Sequence, residues 1–198
     1  MREAVWVLCG ELAREPKHKG DPIRLDVGAP AGSAERVNLS IEQISMRMVT
    51  DIPDRLVDLL EIAAYVYAAD QLKTRGGDAM RDLGHDWRRE FQFAVPVRDL
   101  QFWKRRQTKQ MLQETLGFLS DDDYRFDFKA AESPVSIAGY LGLEADGAPV
   151  GFVPDRVVLF SGGLDSLAGV ATSLLQRGER LAVVSHSAST AVQGRQKE

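Results

Sequence analysis

The feature that most constrains the fold is a short apolar run followed by a glycine-rich turn and an amphipathic helix. Residues 157–160 are uninterruptedly apolar, which is typical of a parallel strand covered on both faces. After Ser166 the apolar residues recur at helical spacing until Gly178 ends the pattern. This stripe consists of Leu167, Val170, Ala171, Leu174 and Leu175. The stretch therefore predicts a strand, a loop and a helix, the repeating unit of an α/β fold.

The loop between this strand and this helix has the parts of a phosphate-binding turn. It consists of Ser161, Gly162, Gly163, Leu164, Asp165 and Ser166. Adjacent glycines let the backbone turn sharply, and a helix start supplies unpaired N–H groups and the positive end of the helix dipole. The Gly-Lys-Ser/Thr ending of a Walker A motif is missing, so no lysine of the loop reaches a γ-phosphate. The alternative is an ordinary glycine turn in a βα unit, without a ligand.

These six residues resemble the SGGxDS signature of the PP-loop ATP pyrophosphatases and match every fixed position. The resemblance implies an enzyme that splits ATP between its α- and β-phosphates while a substrate oxygen takes the AMP group. It implies that residues 161–166, Leu164 included, bind ATP and pyrophosphate, with phosphate contacts from Ser161, Gly162, Gly163 and Ser166. It also implies catalytic roles for Asp165 and Ser166, with Asp165 near the metal and the phosphates. Mg²⁺ would neutralise the charge that develops on the leaving pyrophosphate.

Composition limits the classes of function. A chain of 198 residues, 44% hydrophobic and 27% charged, allows one or two folded domains and gives no sign of disorder. The net charge of −4 argues against coating nucleic acid through the overall field. The single cysteine, Cys9, excludes an internal disulfide and a cysteine metal cluster, and it fits a reducing compartment. The longest apolar stretch, residues 62–69, is too short to cross a bilayer, so we expect a cytoplasmic protein without a membrane partner.

Two domains are predicted. Residues 145–154 contain two glycines, two prolines and no periodicity, which indicates a linker. We expect a small α/β accessory domain over residues 1–144 and the start of a doubly wound PP-loop domain, of the adenine nucleotide alpha hydrolase-like type, over residues 155–198. About forty residues follow Val157, enough for one βαβ unit. We therefore expect a truncated second domain in a fragment of a longer enzyme, and no turnover by the fragment alone.

The first domain is predicted to alternate strands and helices. Strands are expected at residues 3–9, 23–27 (at an edge), 88–97 and 124–128, and a helix at 99–119. Pro96 favours an edge position or the end of its strand. Another helix, at about residues 53–73, has one narrow polar stripe and apolar residues elsewhere, which predicts that it is mostly buried. The stripe consists of Asp54, Asp58, Glu61 and Tyr65. For Asp70 and Arg75, near the end of this helix, a solvated helix end is favoured over a functional role.

A basic segment lies at residues 73–109, with ten basic and five acidic residues around Trp87 and Trp103. Aromatic residues among basic ones can clamp a nucleic acid or an acidic partner. The favoured alternative is a solvated helix start with a tryptophan anchored in the core. A nucleic-acid partner is thus considered but not favoured.

The end of the last predicted strand, residues 181–184, supplies further candidates. The PP-loop resemblance implies that adenine is held near this end, so Ser185 and His186 are candidates for its binding. His186 as a general base is the less favoured interpretation, because no partner for it is visible in the sequence. His18 and His85 have no ligand-like spacing, and we expect no metal ligands of this type in the chain.

Two features narrow the resemblance. Residues 192–198 contain Gly194 and Arg195 and resemble the Gly-Gln-Arg segment of 7-cyano-7-deazaguanine synthases at the same place, although the order of residues differs. The leading domain, with its helix at residues 58–70 and strand at 91–99, resembles the extended synthase-like proteins of bacterial anti-phage systems, of the Qat and type IV CBASS types.

The narrower resemblance implies an ATP-dependent ligase that adenylates the carboxylate of 7-carboxy-7-deazaguanine. Ammonia then gives the amide, and a second ATP dehydrates the amide to the nitrile. In the defence branch the activated or amidated base is joined instead to a partner protein. The zinc-binding cysteines of the family lie further downstream than this chain, so Zn²⁺ is expected only through residues beyond it. The alternative is a nucleotide-sensing module, or one that binds a partner protein or nucleic acid, with a non-catalytic loop.

Overall fold

The computed structural model describes residues 4–14, 20–39, 52–76, 87–134 and 154–185. The chain forms two compact units, Met1–Tyr140 and Leu141–Glu198, and each is presented by itself. Of the predicted linker at residues 145–154, all but Pro154 lies outside the described residues. Among the helices described, none combines the length and the apolar character that crossing a membrane requires.

The first unit is an α/β fold on a parallel four-stranded sheet, which confirms the α/β class. Its elements are strand β1 (Val5–Cys9), a 3₁₀ turn (Gly10–Arg14), strand β2 (Ile23–Leu25), helix α1 (Asp54–Leu72), strand β3 (Glu90–Val97), helix α2 (Leu100–Trp103), helix α3 (Arg106–Ser120) and strand β4 (Asp123–Ala130). The strand order is β2-β1-β3-β4, with β2 at the edge as predicted. Because β2 and β3 lie on opposite sides of β1, the strand order reverses between β1 and β3.

The hydrophobic core lies on one face of this sheet. In β4 every second residue, from Tyr124 to Phe128, is buried against it while the residues between are exposed, as the alternation predicts. The rings of Phe93 and Phe126 stack across the strands with centroids 5.3 Å apart. The same cluster receives Ile62, Tyr65 and Ala69 from α1, Trp103 from α2, and Leu112 and Leu116 from α3. All three helices therefore pack on the same face of the sheet.

Helix α1 does not bury the residues that its pattern predicts. Asp58 and Glu61 of the polar stripe are 1% and 6% exposed, whereas Leu56 and Leu59 are 51% and 44% exposed. The reason is Arg98, which follows β3 and lies under the helix. Its guanidinium donates to Asp58 Oδ1 at 3.0 Å and to both oxygens of Glu61 at 2.9 Å. Asp58, Glu61 and Tyr65 of the polar stripe thus lie on the inner side of α1, whereas Asp54 is exposed. The prediction of a mostly buried helix is wrong, because the outer side of α1 is exposed.

Asp58 also organises the chain that follows β3. Its Oδ2 accepts hydrogen bonds from the backbone N–H groups of Arg98 and Asp99, each at 3.1 Å, and from Trp103 Nε1 at 2.9 Å. Its Oδ1 accepts from Arg98 N and Arg98 Nη1, both at 3.0 Å. One buried carboxylate therefore joins α1, the end of β3 and α2.

Strand β3 lies inside the sheet, so the edge position considered for it is wrong. Strand β1 pairs with β3 only as far as Ala94, whereas β4 pairs with β3 up to Val97. Pro96 therefore lies beyond β1, near the end of its strand, where a missing N–H is tolerated. The other predicted position for Pro96, the end of a strand, agrees with this register.

The helix predicted for residues 99–119 is interrupted. The side chain of Asp99 caps α2 by accepting the N–H of Phe102 at 3.0 Å. At Arg105 the backbone is extended, with φ −60° and ψ 131°, so a second helix, α3, starts after it. Helix α3 ends at Ser120, and its C-cap residue, Asp121, has a left-handed φ of 60°. The chain turns there before β4 begins at Asp123.

The second unit contains strand β5 (Arg156–Leu159), helix α4 (Leu164–Ala171), a π-helical turn (Thr172–Gln176) and strand β6 (Leu181–Val184), which is parallel to β5. These elements match the predicted strand, loop, helix and strand. Gly178, with φ 64°, follows the helical segment as predicted. Val157 and Leu159, however, are 60% and 78% exposed, so the expectation of a strand covered on both faces is wrong for the described residues. The reason is that the described part of this unit has one helix beside two strands and no second covering layer.

Candidate functional site

The candidate phosphate loop joins the carboxyl end of β5 to the amino end of α4. Gly162 has φ 79°, a left-handed conformation that strongly favours glycine. Gly163 is the helix N-cap and is extended, with φ −90° and ψ 164°, which other residues also adopt. The turn therefore requires glycine at Gly162. Gly163 is not required by its backbone conformation, but it leaves the start of the helix without a capping side chain.

Two hydroxyl groups of the loop face each other across this turn. Ser161 Oγ and Ser166 Oγ are 3.3 Å apart, and Ser166 Oγ donates to the carbonyl oxygen of Gly163 at 2.8 Å. Both side chains have internal partners, so a bound anion would exchange these hydrogen bonds for bonds to its own oxygens. The loop thus presents two adjacent hydroxyls beside a sharp backbone turn.

The start of α4 provides the electrostatic part of the site. No side chain caps this helix, and the N–H groups of a first helical turn have no acceptor within the helix. Asp165 lies in this turn, and its side chain is exposed. The N–H groups and the helix dipole favour an anion, while the carboxylate of Asp165 favours a cation beside it. A phosphate with a bound divalent cation satisfies both preferences.

The end of β6 lies at the same edge of the two-stranded sheet as the loop. Leu159 is in register with Val184, and the N–H of Phe160 donates to the carbonyl oxygen of Val184 at 2.8 Å. Ser185 follows directly and is exposed. The described structure thus brings Ser185 to the edge where the loop begins. His186, the other predicted adenine-side residue, lies outside the described residues, as do His18 and His85.

The opposite edge of this sheet is held by two ion pairs that the sequence analysis did not find. Arg180 donates its backbone N–H and its guanidinium to Asp155, at 2.9 to 3.1 Å, and these bonds lower the pKa of Asp155 to about 2. Arg156 forms two bonds of 2.9 Å to Glu179. The sequence gives no signal for these two pairs, because their members are far apart in the chain. They come together only through the register of β5 and β6.

Asp70 and Arg75 take part in a charged network of the first unit. Arg75 donates to Asp122 at 2.8 Å, and Arg89 donates to Asp122 at 2.6 Å and also to Asp70. Asp122 is fully buried and also accepts the N–H of Arg89 at 2.9 Å. These contacts give Asp70 and Arg75 structural partners, more specific than the solvated helix end that the sequence favoured.

The two tryptophans of the basic segment differ in environment. Trp103 is 4% exposed, as the core-anchored interpretation predicts, whereas Trp87 is 51% exposed. The guanidinium of Arg75 lies 5.6 Å from the ring centre of Trp87. Within the described part of the segment, Arg75, Arg88, Arg89 and Arg98 each pair with a carboxylate. Nucleic-acid binding by this segment stays an untested alternative that the sequence does not favour.

No group of three or more histidine, cysteine, aspartate or glutamate side chains that could hold a metal is present among the described residues. A divalent cation at the loop would therefore depend on Asp165 and on the phosphates themselves. No protein-family model, no curated protein and no solved structure matches this chain.

Proposed function

We propose that this protein is an ATP-dependent adenylating enzyme of the PP-loop type. The proposed substrate is a carboxylate of the 7-carboxy-7-deazaguanine class, activated for amide or nitrile formation or for conjugation to a partner protein in anti-phage defence. The observation that carries the proposal is the geometry of residues 161–166. There, a left-handed glycine, two neighbouring hydroxyls and an uncapped helix start adjoin the end of a parallel strand.

The proposed reaction has two steps. A carboxylate oxygen of the substrate attacks the α-phosphorus of ATP, the bond from this phosphorus to the bridging oxygen breaks, and pyrophosphate leaves. Ammonia then attacks the acyl carbon, and AMP leaves with the electron pair of the broken carbon–oxygen bond. A second ATP would drive dehydration of the amide to the nitrile. Stabilising the charge on the leaving pyrophosphate is the main contribution expected of the protein.

Each residue of the loop has a proposed role in this chemistry. Gly162 shapes the turn, and the hydroxyls of Ser161 and Ser166 would donate to oxygens of the leaving pyrophosphate. The N–H groups at the start of α4, from Leu164 onwards, would add hydrogen bonds and a favourable dipole. Asp165 would hold Mg²⁺ together with the phosphates, and the ion supplies positive charge against the leaving group.

Binding is tested by titrating the 198-residue chain calorimetrically with magnesium pyrophosphate and with MgATP. We expect Ser166→Ala to weaken binding by roughly tenfold, because a hydrogen bond to a charged group contributes about 1.5–3 kcal/mol. Gly162→Ala should weaken binding further, because its φ of 79° is strained for alanine. Asp155→Asn is the matched control for Asp165→Asn, since it removes an exposed carboxylate of the same unit from the opposite edge of the sheet.

Catalysis is tested with the full-length protein, by adding 7-carboxy-7-deazaguanine, ammonia, ATP and Mg²⁺ and measuring pyrophosphate, with mass spectrometry of the base. The expected result is substrate-dependent pyrophosphate and AMP, retained in Asp155→Asn and abolished in Asp165→Asn. Release of inorganic phosphate in place of pyrophosphate, or no binding of either magnesium complex, would contradict the proposal.

A nucleotide-sensing or partner-binding module is the second candidate. The exposed leucines and valines of β5, α4, the π-helical turn and β6 favour it, because large apolar side chains in such number commonly contact another surface. They include Val157, Leu159, Leu164, Leu167, Leu175, Val183 and Val184. Tight MgATP binding with neither pyrophosphate nor phosphate release would favour this candidate over the enzyme.

A further inference from the structure

The first unit has a cleft at the place where parallel α/β sheets usually bind ligands. It lies beyond the carboxyl ends of β1 and β3, between which the strand order reverses. Its volume is about 230 Å³, and the residues that line it include Gly10, Glu11, Tyr65, Arg98 and Ala131. None of these residues belongs to the loop at residues 161–166, so the cleft is independent of the function proposed above.

The floor of the cleft depends on a glycine. Gly10 follows β1 with φ 56°, which strongly favours glycine. A Cβ atom at this position would lie 2.8 Å from Pro96 Cγ and 3.5 Å from the hydroxyl oxygen of Tyr65. Because Pro96 and Tyr65 are themselves fixed in the sheet and in α1, a larger residue would displace the floor.

The size and the local structure of the cleft disfavour a nucleotide. The volume of the cleft, about 230 Å³, is small for an organic ligand of nucleotide size. Ligand sites for larger organic molecules typically occupy about 300–1,000 Å³. In dinucleotide-binding sheets a phosphate sits at the helix that follows the first strand, but here a five-residue 3₁₀ turn follows β1 and places Glu11 there. The carboxylate of Glu11 would repel a phosphate.

The charges around the cleft favour a cation. Arg98 is paired with Asp58 and Glu61, and Arg14 is paired with Asp26 at 2.9 Å. Glu11 is held in place by the backbone N–H groups of Glu132 and Ser133, which donate to its two oxygens at 2.7 and 3.1 Å. Among the ion pairs of the described residues, none includes Glu11. Its carboxylate is therefore oriented, and no described cation neutralises it through an ion pair.

Apolar groups line other parts of the cleft. Val27, Pro96, Ala131 and Pro134 line the cleft together with the charged residues. Methylene groups packed on such a wall leave water, which favours binding. We propose that the cleft binds a small aliphatic amine, with its ammonium group at Glu11 and its methylene groups against Pro96 and Ala131.

Three probes of equal chain length test this assignment: putrescine, butanediol and succinate, with ammonium, hydroxyl and carboxylate ends. Each is titrated into the isotopically labelled 198-residue chain, and the backbone amide signals are followed by NMR. The expected result is saturable binding of putrescine, with the largest shifts at Gly10, Glu11 and Gly28. Butanediol and succinate should bind at least about tenfold more weakly, because they lack the charge that Glu11 recognises.

Two variants and one control make the test specific. Glu11→Gln should weaken putrescine binding by about tenfold or more, whereas Glu132→Gln, the same charge change at an exposed neighbour, should leave it unchanged. Ala131→Phe fills the cleft without changing charge and should abolish the binding of putrescine. The NMR spectrum of each variant shows whether it is folded. Equal affinity for the three probes, equal binding by the two glutamine variants, or no saturable binding of putrescine would overturn the proposal.

Discussion

Replacing Asp58 by asparagine should strongly destabilise the first unit, although the side chain keeps its size. Both carboxylate oxygens of Asp58 face donors: Oδ2 accepts three N–H groups and Oδ1 accepts two. An asparagine has one acceptor and one NH₂ group. Neither orientation of the amide can therefore satisfy the site. The better one keeps the three bonds to Oδ2 and turns its NH₂ group against the N–H and Nη1 of Arg98.

The magnitude follows from those contacts. The N–H of Arg98 keeps its bond to Oδ2, so Nη1 of Arg98 is the donor that loses an acceptor. A donor that faces a donor in a buried site costs about 1–3 kcal/mol. Losing one charge of a buried ion pair costs about 3–5 kcal/mol in comparable sites. Arg98 keeps its two bonds to Glu61. We therefore expect Asp58→Asn to lower the free energy of unfolding by about 3–4 kcal/mol, in the lower part of the range for a broken buried ion pair. That is a large fraction of the roughly 5–15 kcal/mol that stabilises a typical domain.

Urea unfolding followed by the fluorescence of the buried Trp103 measures this change, since its Nε1 is bonded to Asp58. The control is Asp54→Asn, an exposed carboxylate in the first turn of the same helix. It should cost at most about 1 kcal/mol through the helix dipole. If Asp58→Asn unfolds within about 1 kcal/mol of Asp54→Asn, the idea that this carboxylate joins α1 to the end of β3 is refuted.

Further consequences concern one glycine, one ion pair and one thiol. Gly10→Ala should lower the free energy of unfolding in urea by about 1–3 kcal/mol, and by more than Gly32→Ala does. Both glycines have positive φ, but of the two only Gly10 has atoms within 4 Å of the position that a Cβ would take. Equal costs for the two variants would contradict this. Arg180 lowers the pKa of Asp155 from 3.8 to about 2, so the stabilisation is complete above pH 4 and is lost as the pH falls towards 2. NMR titration of the Asp155 carboxyl should give the low pKa, and an ordinary value would disprove the pairing. Burial raises the pKa of the Cys9 thiol well above its ordinary value, so Cys9 should react with a thiol reagent at the rate of unfolding; fast labelling of the native protein would argue against its burial.

Strand positions followed from local pattern. The alternation from Tyr124 to Phe128 is set by the pleat of a strand with one buried face, so it was visible in the sequence. The loop at residues 161–166 was visible for a similar reason, since a left-handed turn before a helix demands glycine at Gly162. Features of this kind depend on residues that are close in sequence.

Partners distant in sequence could not be predicted. The polar stripe of α1 indicates a solvent-facing surface when the helix is considered alone, because an isolated carboxylate is rarely buried. Arg98, which lies under the helix, pairs with Asp58 and Glu61 and allows them to be buried. Likewise, the position of β3 inside the sheet depends on β1 joining it from far away in the chain. The cleft at Gly10 and Glu11 arises from that same strand order, and the sequence analysis missed it entirely.

The parallel register of the sheet also sets the order in which its strands can assemble. Glu90 pairs with Asp123, whereas Val5 pairs with Phe91, so the loop closed by the β1–β3 pairing is more than twice as long. Each doubling of a closed loop costs about 0.6 kcal/mol of chain entropy. We therefore expect strands β3 and β4, with α2 and α3 between them, to form the more local folding nucleus. During synthesis on the ribosome β1 emerges first, yet it gains its central place in the sheet only after most of the first unit has been made.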